Sequence, residues 1–262
     1  TGKKVVGYAH AVSLGKTAGN FLFTLSQELY DDKYDKNDMG ILFNNNYIDH
    51  YLWASYRILK PKNWYNRIQF NYNGTLSRRF KPGDHQIFYT NVNANVQFKN
   101  LWWMGLWVGL NAKGNDFYEP RMSGRFYKSP QSWRINAWTE SNSAKRYYVS
   151  AGVFAAFYEQ FGGRMYNFNL QQRYRFNDKF SLSYDLMGGP TKNEAGFYQT
   201  SGSDILFSRR NRVTLENVLK AKYNFNNKSG ITFRARHYWS KVEPQELYAL
   251  QEDGNLKKPA AT

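Results

Sequence analysis

The chain of 262 residues contains no cysteine, which removes disulfide frameworks and thiolate metal sites. It also lacks long apolar runs. The longest, Leu101 to Leu110 (LWWMGLWVGL), falls well short of the ~18 residues that a transmembrane helix needs. Helical periodicity is almost absent. Among catalytic signatures there is no GxSxG, no HExxH and no phosphate loop. The four histidines, His10, His50, His85 and His237, lie in unrelated segments without metal-ligand spacing. Enzymatic activity is therefore not the favoured expectation, and no catalytic residue, metal or cofactor is assigned. Acidic residues are few, 20 against 36 basic ones, giving a net charge of +16. That balance points to anionic partners such as lipopolysaccharide, phospholipid head groups or an acidic solute. It could also suit nucleic acid, but no RNP-like motif accompanies it, and nucleic acid is not an expected partner.

What is present is alternation. From Asn91 to Phe98 (NVNANVQF), Val92, Ala94, Val96 and Phe98 alternate with Asn91, Asn93, Asn95 and Gln97. The same period recurs in twelve candidate strands, near 5–14, 20–30, 46–58, 64–78, 86–98, 101–112, 133–141, 147–159, 164–176, 179–188, 212–225 and 230–242. Soluble strands average about 5–6 residues, whereas tilted strands crossing a bilayer need about 9–11, and most of these segments have the longer length.

The links alternate too. Short ones (GKTAG, LKPKN, KNL, NSAKR, NDK, NNKSG) follow the odd-numbered candidates. Longer ones, 31–45, 79–85, 113–132 and 189–211, follow the even ones, with a Gly162-Gly163 link as the exception. Outer-membrane barrels show this pattern of short periplasmic turns and longer extracellular loops. Aromatic residues cluster beside the short links, among them Trp64, Tyr65, Phe98, Trp102, Tyr147 and Phe176, as an interfacial girdle requires.

The expected fold is thus all-β: a single antiparallel transmembrane β-barrel domain over residues 1–262, in the outer membrane of a bacterium. Twelve strands are visible. The short links place the start of the first strand and the end of the last on the extracellular side, so a parent barrel of fourteen or more strands is expected, with strands lacking at both ends. Parity sends Arg173, Arg175, Lys220, Lys222, Arg234 and Arg236 to the polar face, hence toward a basic lumen. His50, Gln172, Asn217 and His237 share parity with the apolar face, where they are candidates for contact with a partner protein at the outer membrane or cell surface. The acidic stretch DDKYDKNDMG offers Asp31, Asp32, Asp35, Asn37 and Asp38 as oxygen donors, but without EF-hand spacing a solvated loop is the expectation.

Several stretches carry a family resemblance: YDLMGGPTKNEAGFYQT (184–200), FSRRNRVTLEN (207–217), RARHYWSKVE (234–243) and NDMGIL (37–42). They resemble the C-terminal barrel region of an outer-membrane family from Bacteroidota, whose members carry an N-terminal carbohydrate-binding-family-9-like module ahead of a domain of unknown function. The resemblance implies an outer-membrane barrel with a tie to glycan handling. It brings no catalytic residues and assigns no carbohydrate binding to these residues. The function expected is a channel, a transporter component or a membrane anchor for an exported, glycan-binding module. The alternatives are a barrel-embedded hydrolase with its site on the extracellular loops, and a soluble carbohydrate-binding β protein.

Overall fold

Segments that alternate apolar with amide or hydroxyl residues can pair along both edges while their two faces meet different surroundings. The computed structural model, which describes residues 5–35, 44–202 and 204–259, folds in that way. In chain order the strands are β1 (Ala9–Lys16), β2 (Phe21–Tyr30), β3 (Tyr47–Ile58), β4 (Tyr65–Arg78), β5 (His85–Phe98), β6 (Trp103–Asn111), β7 (Gly114–Asp116) and β8 (Tyr127–Ser129). They continue with β9 (Ser132–Glu140), β10 (Tyr147–Tyr158), β11 (Arg164–Arg175), β12 (Phe180–Ser201), β13 (Asp204–Asn224), β14 (Gly230–Leu250) and β15 (Leu256–Lys257). Thirteen of them form one antiparallel sheet in the order β1-β2-β3-β4-β5-β6-β9-β10-β11-β12-β13-β14-β15, while β7 and β8 form a separate small hairpin.

Each of the twelve expected strands has its counterpart in the sheet. The tight links behave as read: the Phe98 N–H donates to the Trp102 carbonyl (2.8 Å) and the Phe176 N–H to the Phe180 carbonyl (3.0 Å), closing the turns at Lys99–Leu101 and Asn177–Lys179. Boundaries differ where turn-forming residues suggested loops. The expected link over 189–211 is instead the paired upper parts of β12 and β13, and β14 continues through the polar VEPQELYAL to Leu250. Gly188 and Gly189 do not turn the chain. A Cβ at either would overlap a neighbouring strand's carbonyl oxygen, that of Thr214 or of Tyr166, so these glycines permit close strand approach. Pro244 is accommodated beside the β13–β14 register shift, on an edge strand, where proline costs no ladder bond.

The barrel expectation is met only as far as a single large antiparallel sheet. β1 and β14 do not pair, so the sheet is open. It is nonetheless strongly curved. The Tyr118 hydroxyl donates to the Asn45 carbonyl in the link entering β3 (3.4 Å), and the carboxylate of the adjacent Glu119 accepts the backbone N–H of Phe197 on β12 (2.8 Å). β3 and β12 are seven strand spacings apart in the sheet, roughly 33 Å if it were flat. Two consecutive residues, with Cα atoms about 3.8 Å apart, cannot bridge that distance. The long-link end of the sheet therefore bends round on itself.

Where the packed core sits follows from this bend. Tyr127 of the β7–β8 hairpin packs with Ile205, Phe207 and Leu250 at the long-link ends of β13 and β14. Arg125 donates to the Leu250 carbonyl (2.7 Å), and the Lys128 N–H to the Gly254 carbonyl (2.9 Å). Glu194 pairs with Arg210 (2.9 Å) and Arg212 (2.7 Å) nearby.

Candidate functional site: the polar face of the sheet

The two faces of the sheet invert the order of a water-soluble protein. Large apolar side chains on one face are open, with Leu14 70%, Val12 64%, Val153 61% and Val92 57% exposed. Polar residues on the other are packed, with Ser55 1% and Asn91 6% exposed. The polar face is therefore the interior of the curve, and its chemistry divides into two walls.

The first wall lies on β11–β14 toward the short links. Strand register brings all six basic candidates to one face: Arg173 and Lys220 both oppose Ser183, Arg175 and Lys222 both oppose Ser181, Lys220 opposes Arg234, and Val218 opposes Arg236. They are held differently. Lys220 pairs with Asp185 (2.7 Å), and Arg236 grips Glu216 through two bonds of 2.7 and 2.8 Å. Arg173 and Arg175 each donate to the Ser143 carbonyl (2.7 Å), and Arg175 also to that of Lys145 (3.1 Å), so they clamp the β9–β10 turn. Lys222 and Arg234 have no ion-pair partner among the described residues. Six cations against two carboxylates leave an excess of four positive charges.

The second wall lies on β3–β6 and β9 and is built from amides. Gln69 donates to Asn71 (2.9 Å), Asn71 to Asn93 (2.7 Å), Asn73 to Asn91 (3.0 Å), and Asn95 to Asn93 (3.0 Å). The Tyr51 hydroxyl donates to Asn73 (2.6 Å), and Asn91 reaches the Tyr89 hydroxyl (3.1 Å). Each amide satisfies its neighbour, as half-buried polar groups must.

Along this wall tryptophan and glycine alternate. Trp103, Gly105, Trp107 and Gly109 share the parity of the amides on β6, and Trp138 stands opposite Gly105. The ring of Trp138 fills the space where a Gly105 side chain would be, and a Cβ at Gly109 would lie 2.6 Å from the Trp107 ring. The rings thus lie flat on the sheet. The sequence reading missed this pair of platforms, although the large-small alternation in WWMGLWVGL is its signal.

Other candidates disperse. His10 contacts Tyr8 (3.0 Å) and Gln27 (3.2 Å), and His237 contacts Asn217 (3.4 Å). Among the described residues no group of three or more His, Asp or Glu could hold a metal. In the acidic stretch, Asp31 accepts the N–H groups of Lys33 (3.0 Å) and Tyr34 (2.7 Å). Partial desolvation works to raise its carboxyl, but the backbone hydrogen bonds outweigh it and hold the pKa below the ordinary value. Asn37, Asp38 and the NDMGIL stretch lie outside the described residues. Two of the polar groups on the apolar face find tyrosine partners within the sheet: Tyr147 donates to Gln172 (2.8 Å) and Tyr184 to Asn217 (2.6 Å).

Aromatic contacts run along the short-link end. Tyr174, Phe176, Phe180, Tyr223 and Phe225 touch in sequence at ring separations of 4.8, 5.0, 6.5 and 5.3 Å, and Trp64 meets Tyr65 (4.9 Å) and Phe98 (5.9 Å). Comparison with known proteins returns one family. The family model described as "Domain of unknown function (DUF5916)" matches residues 1–262. No curated protein and no solved structure matches the chain.

Proposed function

The chain belongs to the DUF5916 family, a domain of unknown function, and we propose that its sheet is the membrane-spanning wall of an outer-membrane β-barrel acting as a channel or transporter component. The observation that carries this reading is the inversion of the two faces. Exposed large apolar side chains run across the sheet from Val12 and Leu14 on β1 through Val92 on β5 and Val153 on β10 to Ile231 and Phe233 on β14, whereas soluble monomers rarely expose contiguous apolar patches beyond a few hundred Å². A soluble carbohydrate-binding protein would have to leave that surface in water. Lipid removes the difficulty, and the packed amides and charges then line an aqueous interior. Shallow apolar grooves of about 450 and 390 Å³ on the outer face, lined by residues such as Phe70, Val92, Ile135 and Val153, suit acyl chains. The aromatic chain at the short-link end suits the head-group level. The long-link end, with its hairpin and ion pairs, would face the exterior and meet lipopolysaccharide, and anchoring of an exported module is compatible with the same placement.

Heat-modifiable gel mobility and flotation with phospholipid vesicles test this reading. A folded form that migrates apart from the boiled form and floats with the vesicles is the expected result. A protein that stays folded and monomeric in the aqueous phase would overturn it.

A further inference from the structure

β6 ends at Asn111 and β9 begins at Ser132, and these two residues face each other in the ladder. A turn of about two to five residues would join such strands. The chain instead runs through residues 112–131, and links of that length in compact domains usually serve a function.

The order of its contacts shows where this link goes. Its outgoing arm meets one wing of the curved sheet, strand by strand. Asn115 donates to the His85 carbonyl at the start of β5 (2.9 Å), the Arg79 guanidinium beyond β4 lies over the Phe117 ring (4.7 Å), and Tyr118 reaches the Asn45 carbonyl before β3 (3.4 Å). Its returning arm meets the other wing. The Arg121 guanidinium lies over the Phe197 ring on β12 (4.5 Å), Arg125 donates to the Leu250 carbonyl at the end of β14 (2.7 Å), and Tyr127 packs on Phe207 of β13 (4.9 Å). Both arms rise from the middle of the sheet, for β6 stands three strands from β3 and β9 three strands from β12. A segment on the convex side would touch one wing at most. The hairpin therefore lies between the wings, across the long-link mouth of the polar interior.

It is also fixed there. The Asp116 carboxylate accepts the N–H groups of Tyr118 (2.8 Å) and Glu119 (2.9 Å), and Pro120 is fully buried. Gly124, at φ 78°, supplies a turn conformation that side chains resist. Undocking the tip would bring Tyr127, Ile205, Phe207 and Leu250 into water together and break the bond from Arg125. The hairpin is a strap and not a swinging lid.

We propose that this strap obstructs the exterior mouth and is the narrowest point of the path through the interior. The proposal rests on the membrane reading of the sheet and adds where its path is restricted. Two paired strands are about 10 Å across, twice the strand spacing, so their removal should at least about double the opening.

Single-channel conductance of the purified full chain in planar phospholipid bilayers tests the strap. In the test variant a short Gly-Ser turn replaces residues 112–131 and joins β6 directly to β9. Conductance about twofold higher or more, or conductance where the unaltered chain shows none, is expected. Equal conductance in the two chains, or none in either while both float with vesicles, would overturn the proposal. Should the shortened chain lack the heat-modifiable folded band, the double variant Arg125→Ala with Tyr127→Ala takes its place. It frees the strap from β13 and β14, keeps every strand of the sheet, and is read against the same outcomes. Vesicle flotation separates the two readings: a chain that does not float sinks the membrane reading and this one with it, and flotation with unchanged conductance sinks this one alone.

Discussion

A methyl group at position 188 would overlap the carbonyl oxygen of Thr214, and one at position 189 that of Tyr166. Neither neighbour can give way, because both are backbone atoms of paired strands. Gly188→Ala is therefore expected to lower stability by about 3 kcal/mol, the upper end for overpacking, seen as a lower urea midpoint for loss of the heat-modifiable band. A midpoint unchanged from the parent would mean that β12 approaches β13 less closely than it does here. Charge offers a second test at this scale. Glu216 neutralises Arg236 through two bonds, so Glu216→Gln raises the positive excess of the β11–β14 wall from four to five. If the protein conducts, the reversal potential across a salt gradient should show anion preference, stronger in Glu216→Gln and weaker at high salt. Cation preference in the unaltered protein would show that this wall does not govern permeation.

The β9–β10 turn shows how a basic side chain can serve an element instead of a solute. Arg173 and Arg175 spend their guanidinium donors on the carbonyls of Ser143 and Lys145, which no strand partner satisfies. Arg175→Ala should accelerate hydrogen exchange in residues 142–146 about tenfold, the worth of a charge-assisted hydrogen bond. Exchange rates equal to those of the unaltered protein would assign these arginines to the interior alone. Their strand, their parity and their neighbours were all legible in the sequence, because YNFNLQQRYRF can place its residues on a sheet in only one register if one face is apolar. Their turn-clamping role was not, since it depends on the distance between β9–β10 and β11, which alternation does not encode. Upper β12 to β14 were hidden for a different reason. Gly188, Gly189, Pro190 and Pro244 carry turn signals in any linear reading, and only pairing with β11 and β13 reveals close approach and a register shift instead. The amide ladder is visible as NVNANVQ, but the placement of the rings beside it depends on strand pairing, which sets Trp138 on Gly105.

At the scale of the molecule the open edges set the remaining constraint. Among the described residues β14 pairs on its outer edge with β15 only, at Ala249 and Leu250, and the outer edge of β1 pairs with no strand, so both edges present backbone groups without a strand partner there. In hydrocarbon each such group costs several kcal/mol, which the proposed membrane reading cannot leave uncompensated. Two closures are available. β1 and β14 could pair directly, because they run antiparallel and the sheet already curves, or further strands could stand between them. The bend supports the second. It brings the link entering β3 to β12 at the long-link end while β1 and β14 stay apart, and under the proposed membrane reading a wider barrel of fourteen or more strands would fill that gap. A chain without native cysteine makes this measurable. Cysteine at Ser13 on β1, combined in turn with cysteine at Arg234, Arg236 or Tyr238 on β14, should give no disulfide in native membranes under oxidation. Direct closure would bring one of these pairs to a Cα separation of about 5.5 Å, where a disulfide forms readily. A cross-link within one chain at any of the three would reduce the barrel to twelve strands, and one between two chains would show that the edges are closed by a second copy.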